Sequence, residues 1–525
     1  MLNFFVIVPV GLIILFARAT LAQTSSCKFE PIGDGVCVCD ENYCDTLDTE
    51  EPSCGSYTLT TSNRRGKRFE TINGQINRFN VSFTSSPTSE RILKINQSIA
   101  YQKIIGFGGA LTDATSYHID SMAESLRDCV YKSYMSPIYG AAYKIIRIPI
   151  GASDFSDRPF VYNETPADDI ELTNMTELLP NDRIHIQQIN EMQKYQTASD
   201  IKIMLCAWSP PIWMKNIKTW TGLSFLSRKY FKTWAKYQTN VISLWQNENL
   251  TIWSISTGNE PKTSAIVPFL SLTWLPMEQA VWVSDYLKPT LKEHGFSDVL
   301  ILGIDDQRTC IQPYINAFRK RAKSNDIDID LIGVHWYFDK FAAPEVLDRT
   351  LKIYNKPILY TEACEGAGLN SGDMIRGPVF GSWKRCQSYV ERMINLLQHS
   401  TAGFIDWNMV LDENGGPNYV GNYVDAPIIF LKRNQTIYKQ PMFYGIAHFS
   451  KFLQNNCVRI DSKWITRNIK TLDAIAFACD NDKIIAILHN TGPNTERITV
   501  IDDRNGQMNL TLDAESVNTF VFKNC

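Results

Sequence analysis

The sequence has no excess of charge of either sign and, beyond its N-terminus, no long apolar run. It contains 52 Lys and Arg residues against 55 Asp and Glu residues, for a net charge of −3. Without a basic surplus, the composition does not indicate nucleic-acid binding. No segment after residue 22 is long and apolar enough to cross a bilayer. The length of 525 residues and the hydrophobic fraction of 44% predict a large globular protein of two or three domains.

Three motifs of common enzyme classes are also missing. There is no His-Glu-x-x-His pattern and no Gly-x-Ser-x-Gly elbow, which disfavours zinc and serine hydrolases. Gly106-Phe-Gly-Gly109 lacks the third glycine of a dinucleotide-binding fingerprint, and we interpret it as a tight turn. We therefore expect no metal and no other cofactor.

Residues 1–22 have the character of a secretory signal. Leu2 to Phe16 is almost wholly apolar, and Thr20-Leu-Ala22 supplies small residues for cleavage. An uncleaved membrane anchor is the alternative. We expect the protein to enter the secretory pathway.

The cysteines and sequons agree with that compartment. Five of the 13 cysteines lie between Cys27 and Cys54. We favour the pairs Cys27–Cys37 and Cys39–Cys44, with a zinc knuckle as the competing interpretation. Asn-x-Ser/Thr acceptors for N-glycosylation begin at Asn80, Asn96, Asn163, Asn174, Asn249, Asn434 and Asn509.

Alternation of apolar and polar residues predicts short antiparallel strands near both ends of the chain, at 56–95 and 456–523. We expect these ends to pair into one sandwich. The middle alternates apolar strands with helical stretches such as Phe231 to Trp245 and Gln387 to Leu397. The predicted strands are Lys103–Phe107, Lys144–Ile148, Lys202–Cys206, Ile252–Ser256, Val299–Gly303, Leu331–His335, Pro357–Tyr360 and Gly403–Asp406. Eight such units favour a (β/α)8 barrel over a doubly wound open sheet.

Two glutamates follow the fourth and seventh predicted strands. Glu260 comes after Thr257-Gly-Asn259, and Pro261 favours an extended conformation for it. Glu362 comes directly after Thr361. Because strand ends meet at the C-terminal mouth of a barrel, both carboxyl groups should face one cleft.

Other strand ends supply aromatic and polar residues around that cleft. They are Asp154, Trp208, Asn259, His335, Tyr337 and Trp407. Glycoside hydrolysis requires such a pair of carboxyl groups, one protonated to assist the leaving oxygen and one ionised to attack or activate water. Aromatic rings suit the apolar face of a sugar, and we expect Asn259 to donate to its 2-hydroxyl.

Several of these residues have simpler interpretations. Asp154 is also compatible with a loop cap that is ion-paired to Arg147, and Trp208 and Trp407 with the core. We expect His335 to orient another side chain by a hydrogen bond and not to bind a metal. Glu365 lies outside the strand and is not expected to take part.

Eight motifs occur in order along the chain after the signal: Gly106-Phe-Gly-Gly-Ala110, Arg147 to Phe155, Ser209-Pro-Pro-Ile-Trp213, Thr257-Gly-Asn-Glu-Pro261, Glu362-Ala-Cys364, Asp406-Trp-Asn408, Gly415-Gly-Pro-Asn418 and Tyr438-Lys-Gln-Pro-Met442. Through these motifs the chain resembles glycoside hydrolase family 30 over essentially its whole length after the signal.

This resemblance implies an α/β fold with three parts. They are a (β/α)8 TIM barrel at 101–408 plus 441–455, an immunoglobulin-like β-sandwich at 56–100 plus 456–525, and a small disulfide-stapled N-terminal β-domain at 23–55 plus 409–440.

The resemblance also implies a retaining β-glucosidase that hydrolyses glucosylceramide. It assigns Glu260 as acid/base and Glu362 as nucleophile. It implies Asp154, Trp208, Asn259 and Trp407 as glucosyl-binding residues, and Tyr337, Asn422 and Phe269 at the site entrance. It further implies a glycolipid substrate at a membrane surface, a saposin-type activator, anionic lipid and a place in the lysosome.

One loop departs from the family pattern. The stretch Glu365 to Asp373 lacks the aromatic pair that vertebrate members carry after the nucleophile. Another β-glucoside or a β-xyloside is therefore the alternative substrate. A secreted carbohydrate- or lipid-binding protein with a silent site is a third interpretation.

Overall fold

The computed structural model describes residues 26–76, 91–196, 201–368, 371–454, 456–465 and 470–524. The expected signal at residues 1–22 and the sequon at Asn80 lie outside the described residues. The strands are β1 (Phe29–Glu30), β2 (Val36–Cys39), β3 (Ser56–Asn63), β4 (Glu70–Gln75), β5 (Arg91–Lys103), β6 (Gly106–Ala110), β7 (Ile145–Ile150), β8 (Lys202–Ala207), β9 (Ile252–Ser256), β10 (Leu300–Gln307), β11 (Leu331–His335), β12 (Ile358–Glu362), β13 (Thr401–Asn408), β14 (Val410–Asp412), β15 (Ile428–Leu431), β16 (Thr436–Lys439), β17 (Val458–Trp464), β18 (Leu472–Cys479), β19 (Lys483–Asn490), β20 (Glu496–Asp502), β21 (Gly506–Leu512) and β22 (Ser516–Lys523).

The α-helices lie mainly between the central strands. They are α1 (Asp113–Asp120), α2 (Glu124–Met135), α3 (Pro180–Met192), α4 (Phe231–Asn247), α5 (Pro276–Trp282), α6 (Lys288–Glu293), α7 (Ile311–Ala322), α8 (Glu345–Tyr354), α9 (Trp383–Gln398) and α10 (Pro441–Ser450). Among the residues that the structure describes, no helix combines the length and the apolar character that a bilayer span requires.

Strands β6 to β13 close into a parallel barrel in chain order. Parallel barrel strands are buried on both faces, which explains their nearly continuous apolar sequences. All six residues of β7 are buried, and so are all five of β12. The predicted (β/α)8 barrel is therefore confirmed, and the open sheet is excluded.

The interpretation of Gly106 to Gly109 as a tight turn is wrong. These residues belong to β6, the first strand of the barrel. A Cβ atom on Gly108 would lie 1.8 Å from the carbonyl oxygen of Ile145 in β7. The glycine is needed for close approach of two neighbouring strands, not for a turn.

The two β-rich ends of the chain meet in one nine-stranded sheet. Its order is β21-β20-β5-β17-β18-β19-β22-β3-β4, so β3 to β5 pair with strands that follow the barrel. A second sheet, β1-β2-β16-β15-β14, joins the cysteine-rich N-terminus to the segment after the barrel. This pairing supports the three-part division that we propose, although β5 runs past the expected boundary at residue 100 and ends at Lys103.

Disulfide bonds link Cys27 to Cys37 and Cys39 to Cys44, the connectivity that we favoured from the sequence. A further disulfide joins Cys457 to Cys479, and Cys54 is also disulfide-bonded. The bonded sulfurs cannot serve as zinc thiolates, which removes the zinc-knuckle interpretation.

The described sequons differ in accessibility. Asn174, Asn249, Asn434 and Asn509 are exposed, and Asn96 is partly exposed. The side-chain amide nitrogen of Asn163 is buried. The residue as a whole is partly exposed, so a glycan at Asn163 would require its side chain to turn outward.

Candidate active site

The C-terminal mouth of the barrel opens into a cavity of about 380 Å³. The side chains that the sequence predicted as catalytic or substrate-binding all line this cavity. They are Asp154, Trp208, Asn259, Glu260, Phe269, Tyr337, Glu362, Trp407 and Asn422. The barrel brings most of them together because the carboxyl ends of its parallel strands lie at one face, whereas Phe269 comes from the segment between β9 and α5 and Asn422 from the segment between β14 and β15.

Glu260 follows β9 and has a left-handed backbone. Its φ is 45°, so the extended conformation expected before Pro261 is wrong. Such a φ is strained in a residue with a side chain and needs support from the surrounding structure. That support includes a hydrogen bond from the Glu260 N–H to the carbonyl of Asp305 at 2.9 Å. The turn directs the carboxyl group into the cavity.

The two carboxyl oxygens of Glu260 differ in their hydrogen bonding. Oε1 has two side-chain partners, and Oε2 has no hydrogen-bond partner among the described residues. Oε1 accepts a hydrogen bond from Gln307 Nε2 at 2.7 Å and lies 3.0 Å from His335 Nδ1. Oε2 is therefore available to a bound substrate. The expected orienting role of His335 agrees with this geometry.

Glu362 is the last residue of β12, and both of its oxygens accept hydrogen bonds. Arg147 Nη1 donates to Oε2 at 2.6 Å, and the Tyr337 hydroxyl donates to Oε1 at 3.0 Å. One carboxylate oxygen of Glu362 and one of Glu260 lie within 4.8 Å of each other. Retaining glycosidases hold their carboxyl groups about 5–5.5 Å apart and inverting ones about 6.5–9.5 Å apart, so this close approach of two oxygens favours the retaining class.

Arg147 does not pair with Asp154, contrary to the loop-cap interpretation. Besides Glu362, it donates to Asp305 Oδ2 at 3.2 Å and to Asn259 Oδ1 at 2.8 Å. The bond to Asn259 occupies the amide oxygen, so the amide nitrogen remains as a donor for a ligand.

Asp305 and His335 complete a buried ionic network. Burial raises the pKa of Asp305, but the charge of Arg147 and a hydrogen bond from His335 outweigh it and hold that pKa well below its usual range. Burial lowers the pKa of His335, but the charge of Glu362 and the hydrogen bonds to Asp305 and Glu260 raise it to about 10. The imidazole is therefore protonated at physiological pH.

The sequence analysis did not identify Asp305 or Gln307 as residues of the site. Our predicted fifth strand ended at Gly303, whereas β10 continues to Gln307. A register shift between Ile304 and Asp306 in the pairing with β11 marks a bulge, and both Ile304 and Asp305 have positive φ. The polar run Asp305-Asp306-Gln307 after an apolar strand was the available signal.

Asp154 accepts a hydrogen bond from the side-chain amide of Asn422 at 2.8 Å. Burial and the nearby charge of Glu362 raise the pKa of Asp154 to about 7. Trp208 and Trp407 stack with their ring centroids 5.4 Å apart, and Arg147 lies over both rings. The two tryptophans are buried, yet they also form part of the cavity wall.

Two clusters of described residues have donor atoms close enough for a metal ion. The first cluster is Glu260, His335 and Glu362. The imidazole of His335 is protonated and both of its ring nitrogens face carboxylates, so the ring has no lone pair for a metal. In the cluster of Cys39, Cys44 and Asp45, the two sulfurs form a disulfide. Neither donor set suits a metal.

A carboxyl pair across an aromatic-lined cavity at the mouth of a (β/α)8 barrel defines the protein as a glycosidase. The comparisons with known proteins agree. The model of the glycosyl hydrolase family 30 TIM-barrel domain matches residues 104–453, and that of the family 30 beta sandwich domain matches residues 456–520. The chain belongs to glycoside hydrolase family 30.

Relatives match over nearly the whole chain. Lysosomal acid glucosylceramidase of Mus musculus is 30% identical over 498 residues, which cover 93% of each chain. Putative glucosylceramidase 3 of Caenorhabditis elegans is 29% identical over 501 residues, covering 93% of this chain and 92% of the relative. Among solved structures, SrfJ from Salmonella typhimurium has the same fold, with a TM-score of 0.78 and 23% identity over 89% of this chain and 99% of its own.

Proposed function

We propose that the protein is a retaining β-glucosidase that hydrolyses glucosylceramide to glucose and ceramide. The observation that carries this proposal is the separation of Glu260 and Glu362, whose carboxylate oxygens approach within 4.8 Å. This close approach supports retention, because an inverting enzyme holds its carboxyl groups further apart to admit a water molecule between the second carboxylate and the sugar.

In the first step, Glu260 gives a proton to the glycosidic oxygen while Glu362 attacks the anomeric carbon. The bond from that carbon to the leaving oxygen breaks, and a glucosyl-enzyme ester forms. Water then attacks the same carbon, Glu260 takes its proton, and the ester bond to Glu362 breaks. Two inversions return the sugar to its starting configuration.

The residues around the pair suit these roles. Both oxygens of Glu362 are held by Arg147 and Tyr337, which orients one carboxylate edge towards the sugar. Oε2 of Glu260 is free to hold and release a proton. The amide nitrogen of Asn259 and the carboxyl group of Asp154 would bind sugar hydroxyls beside Trp208 and Trp407.

The mouth of the cavity supports a lipid aglycone. Ile266, which lines the cavity, is 78% exposed, and Phe341, which packs on the cavity residue Phe338, is 67% exposed. Met374 is 69% exposed and lies two residues before Arg376, another lining residue. Large apolar side chains exposed around one opening favour contact with a hydrocarbon or membrane surface.

We extend the proposal to the setting in which the enzyme works. The disulfides and the exposed sequons suit a protein of the secretory pathway, and a relative is named as lysosomal. We therefore propose action on glycolipid at the lysosomal membrane, with anionic lipid and a saposin-type activator as partners.

Substrate profiling at about pH 5 tests the proposal, because a lysosomal enzyme must work in acid. The purified protein is assayed on glucosylceramide in anionic and in neutral vesicles, and on soluble β-glucosides and β-xylosides. We expect the highest kcat/KM for glucosylceramide in anionic vesicles and β-glucose as the first product by NMR. A higher kcat/KM for a soluble β-glucoside or β-xyloside would make the alternative substrate correct. Initial release of α-glucose would exclude retention.

A further inference from the structure

A second cavity, of about 370 Å³, lies between α1, α3 and the loop that follows β7. It shares no lining residue with the catalytic cavity. Its volume lies within the range of small-molecule sites, roughly 300–1,000 Å³. Nothing in the proposed reaction uses it.

Two buried polar side chains line this cavity without a hydrogen-bond partner among the described residues. His185 is 1% exposed and Ser116 is 4% exposed. Neither ring nitrogen of His185 nor the hydroxyl of Ser116 has such a partner. Buried polar groups are nearly always satisfied, so these groups are available to a ligand.

Carboxyl groups surround His185 at the floor of the cavity, where Asp113 lines the cavity and Asp182 lies behind the imidazole. Asp113 Oδ1 lies 3.5 Å from His185 Nε2, and Asp182 Oδ1 lies 3.7 Å from His185 Nδ1. Two carboxyl groups thus flank one imidazole, and burial raises the pKa of Asp113, so a cation beside Asp113 would stabilise its ionised form. At the rim, Arg158 pairs with its neighbour Asp157 at 2.7 Å and does not compensate the floor. A cationic group therefore fits best.

The walls of the cavity are largely apolar. They are formed by Ala114, Tyr117, Phe155, Ile184 and Pro417. Tyr117 and Ile184 are 51% and 38% exposed, which places them at the opening. A hydrocarbon chain can lie against these side chains while its polar end reaches the buried floor.

We propose that this cavity binds amphiphilic amines. The ammonium group donates to Asp113 and Ser116, and the chain packs against Phe155 and Ile184. Such a ligand contacts the segment that follows the sugar-binding Asp154. Ser156 donates to Asp113 at 2.5 Å, and the ring of Phe155 packs edge-on against Trp407. A ligand in this cavity would therefore stabilise the position of Phe155 against Trp407, which forms part of the active-site wall.

Thermal unfolding of the full chain with three matched probes tests the proposal. Octylamine, octanol and octanoate share a chain length and differ in the charge of the head group. We expect octylamine to raise Tm with increasing concentration, octanol to raise it less and octanoate not at all, since a ligand of the native state stabilises it by mass action.

Two variants test whether octylamine binds in this cavity. Ile184→Trp fills the opening and Asp113→Asn removes the charge with little change of shape, so both should lose the octylamine shift. Ile353→Trp is the matched control, because Ile353 is 49% exposed on α8 and does not line the cavity. Equal shifts with octanol and octylamine, or an undiminished octylamine shift in Ile184→Trp and Asp113→Asn, would overturn the proposal.

Discussion

Glu260 and Glu362 differ in how their oxygens are held. Glu362 has both oxygens bound by donors, whereas Glu260 keeps one oxygen free. The first arrangement suits a nucleophile of fixed orientation, and the second suits a group that must pass a proton to and from the substrate.

Azide distinguishes these two roles. On an activated aryl β-glucoside, Glu362→Ala should lose nearly all turnover and recover it with azide, giving α-glucosyl azide, because the vacated face admits the anion. Glu260→Ala should give β-glucosyl azide and lose about 10²–10⁴-fold in kcat on a substrate with a poor leaving group. NMR of the products checks both. If the two anomers were exchanged between the variants, the roles would be reversed.

Asp154 predicts a dependence of stability on pH. Burial and the charge of Glu362 raise its pKa from 3.8 to about 7 in the folded protein. The folded state therefore binds more protons than the unfolded state between these values, and stability falls as pH rises. Asp154→Asn removes this effect. We expect the variant to be more stable than wild type by ~2 kcal/mol near neutral pH and equally stable at about pH 4.

Denaturant titrations at the two pH values measure that difference. Asp157→Asn is the control, since Asp157 is largely exposed in the same loop. A stability gain of Asp154→Asn that is the same at both pH values would contradict the interpretation. The same variant should lose activity, because an amide replaces a carboxyl group at the proposed sugar site.

The first barrel strand, β6, depends on glycine for its distance from β7. A Cβ atom on Gly108 would meet the backbone of Ile145, which cannot move without separating the strands. Gly108→Ala should therefore destabilise the protein by at least ~2 kcal/mol, the scale of overpacking in a rigid core.

Chemical denaturation compares this variant with Gly222→Ala. No atom lies within 4 Å of a Cβ at Gly222, but its φ is 77°, so that change introduces only backbone strain. We expect the smaller loss for Gly222→Ala. Similar losses for the two variants would show that β6 tolerates a side chain.

Strand β10 shows how an irregular element serves the site. The bulge in β10 places Ile304 and Asp305 at positive φ. A positive φ is rare for a β-branched residue such as Ile304 because its side chain clashes with the backbone there. The bulge turns Asp305 towards Arg147 and His335. The strand is thus strained where it supports the ionic network.

The packing of the barrel on the nine-stranded sheet contains two buried histidines. His448 of α10 contacts the hydroxyls of Thr519 in β22 and Ser62 in β3, at 2.8 and 3.0 Å. His489 in β19 has no hydrogen-bond partner on either ring nitrogen among the described residues. Burial lowers the pKa of each to about 3.

The dependence of stability on pH that these histidines cause is opposite in sign to that of Asp154. Asp154 makes the protein more stable as pH falls, and the histidines make it less stable. Their folded pKa lies below the unfolded value of 6.5, so their contribution to stability is present above about pH 6.5 and is lost as pH falls. His489→Met should therefore make the stability of the protein fall less between about pH 7 and pH 5. Tm at the two pH values measures this, with His294→Gln at an exposed position as control. An unchanged slope for His489→Met would contradict it.

Much of the architecture was predictable because strands and disulfide loops are local. Seven of the eight barrel strands could be placed from runs of apolar residues, and Glu260 and Glu362 from their positions after two of them, whereas the first predicted strand, Lys103–Phe107, overlaps β6 only at Gly106 and Phe107. The N-terminal cysteine pairs followed from short spacings. Parallel strands share one carboxyl end, so their order alone brought the two glutamates to one mouth.

The partners of those residues were decided by tertiary structure. Arg147 bonds to Glu362 and not to the nearby Asp154, Glu260 takes a left-handed backbone before a proline, and Gly106 to Gly109 form a strand. In each case, contacts from distant elements outweigh the local preference. The amphiphile-sized cavity beside α1 is of the same kind, since its walls come from four separate segments.

Sequence pattern determined which elements form and which end carries the chemistry. Packing in three dimensions determined which groups meet, because hydrogen bonds and close approach depend on distances that no local pattern encodes.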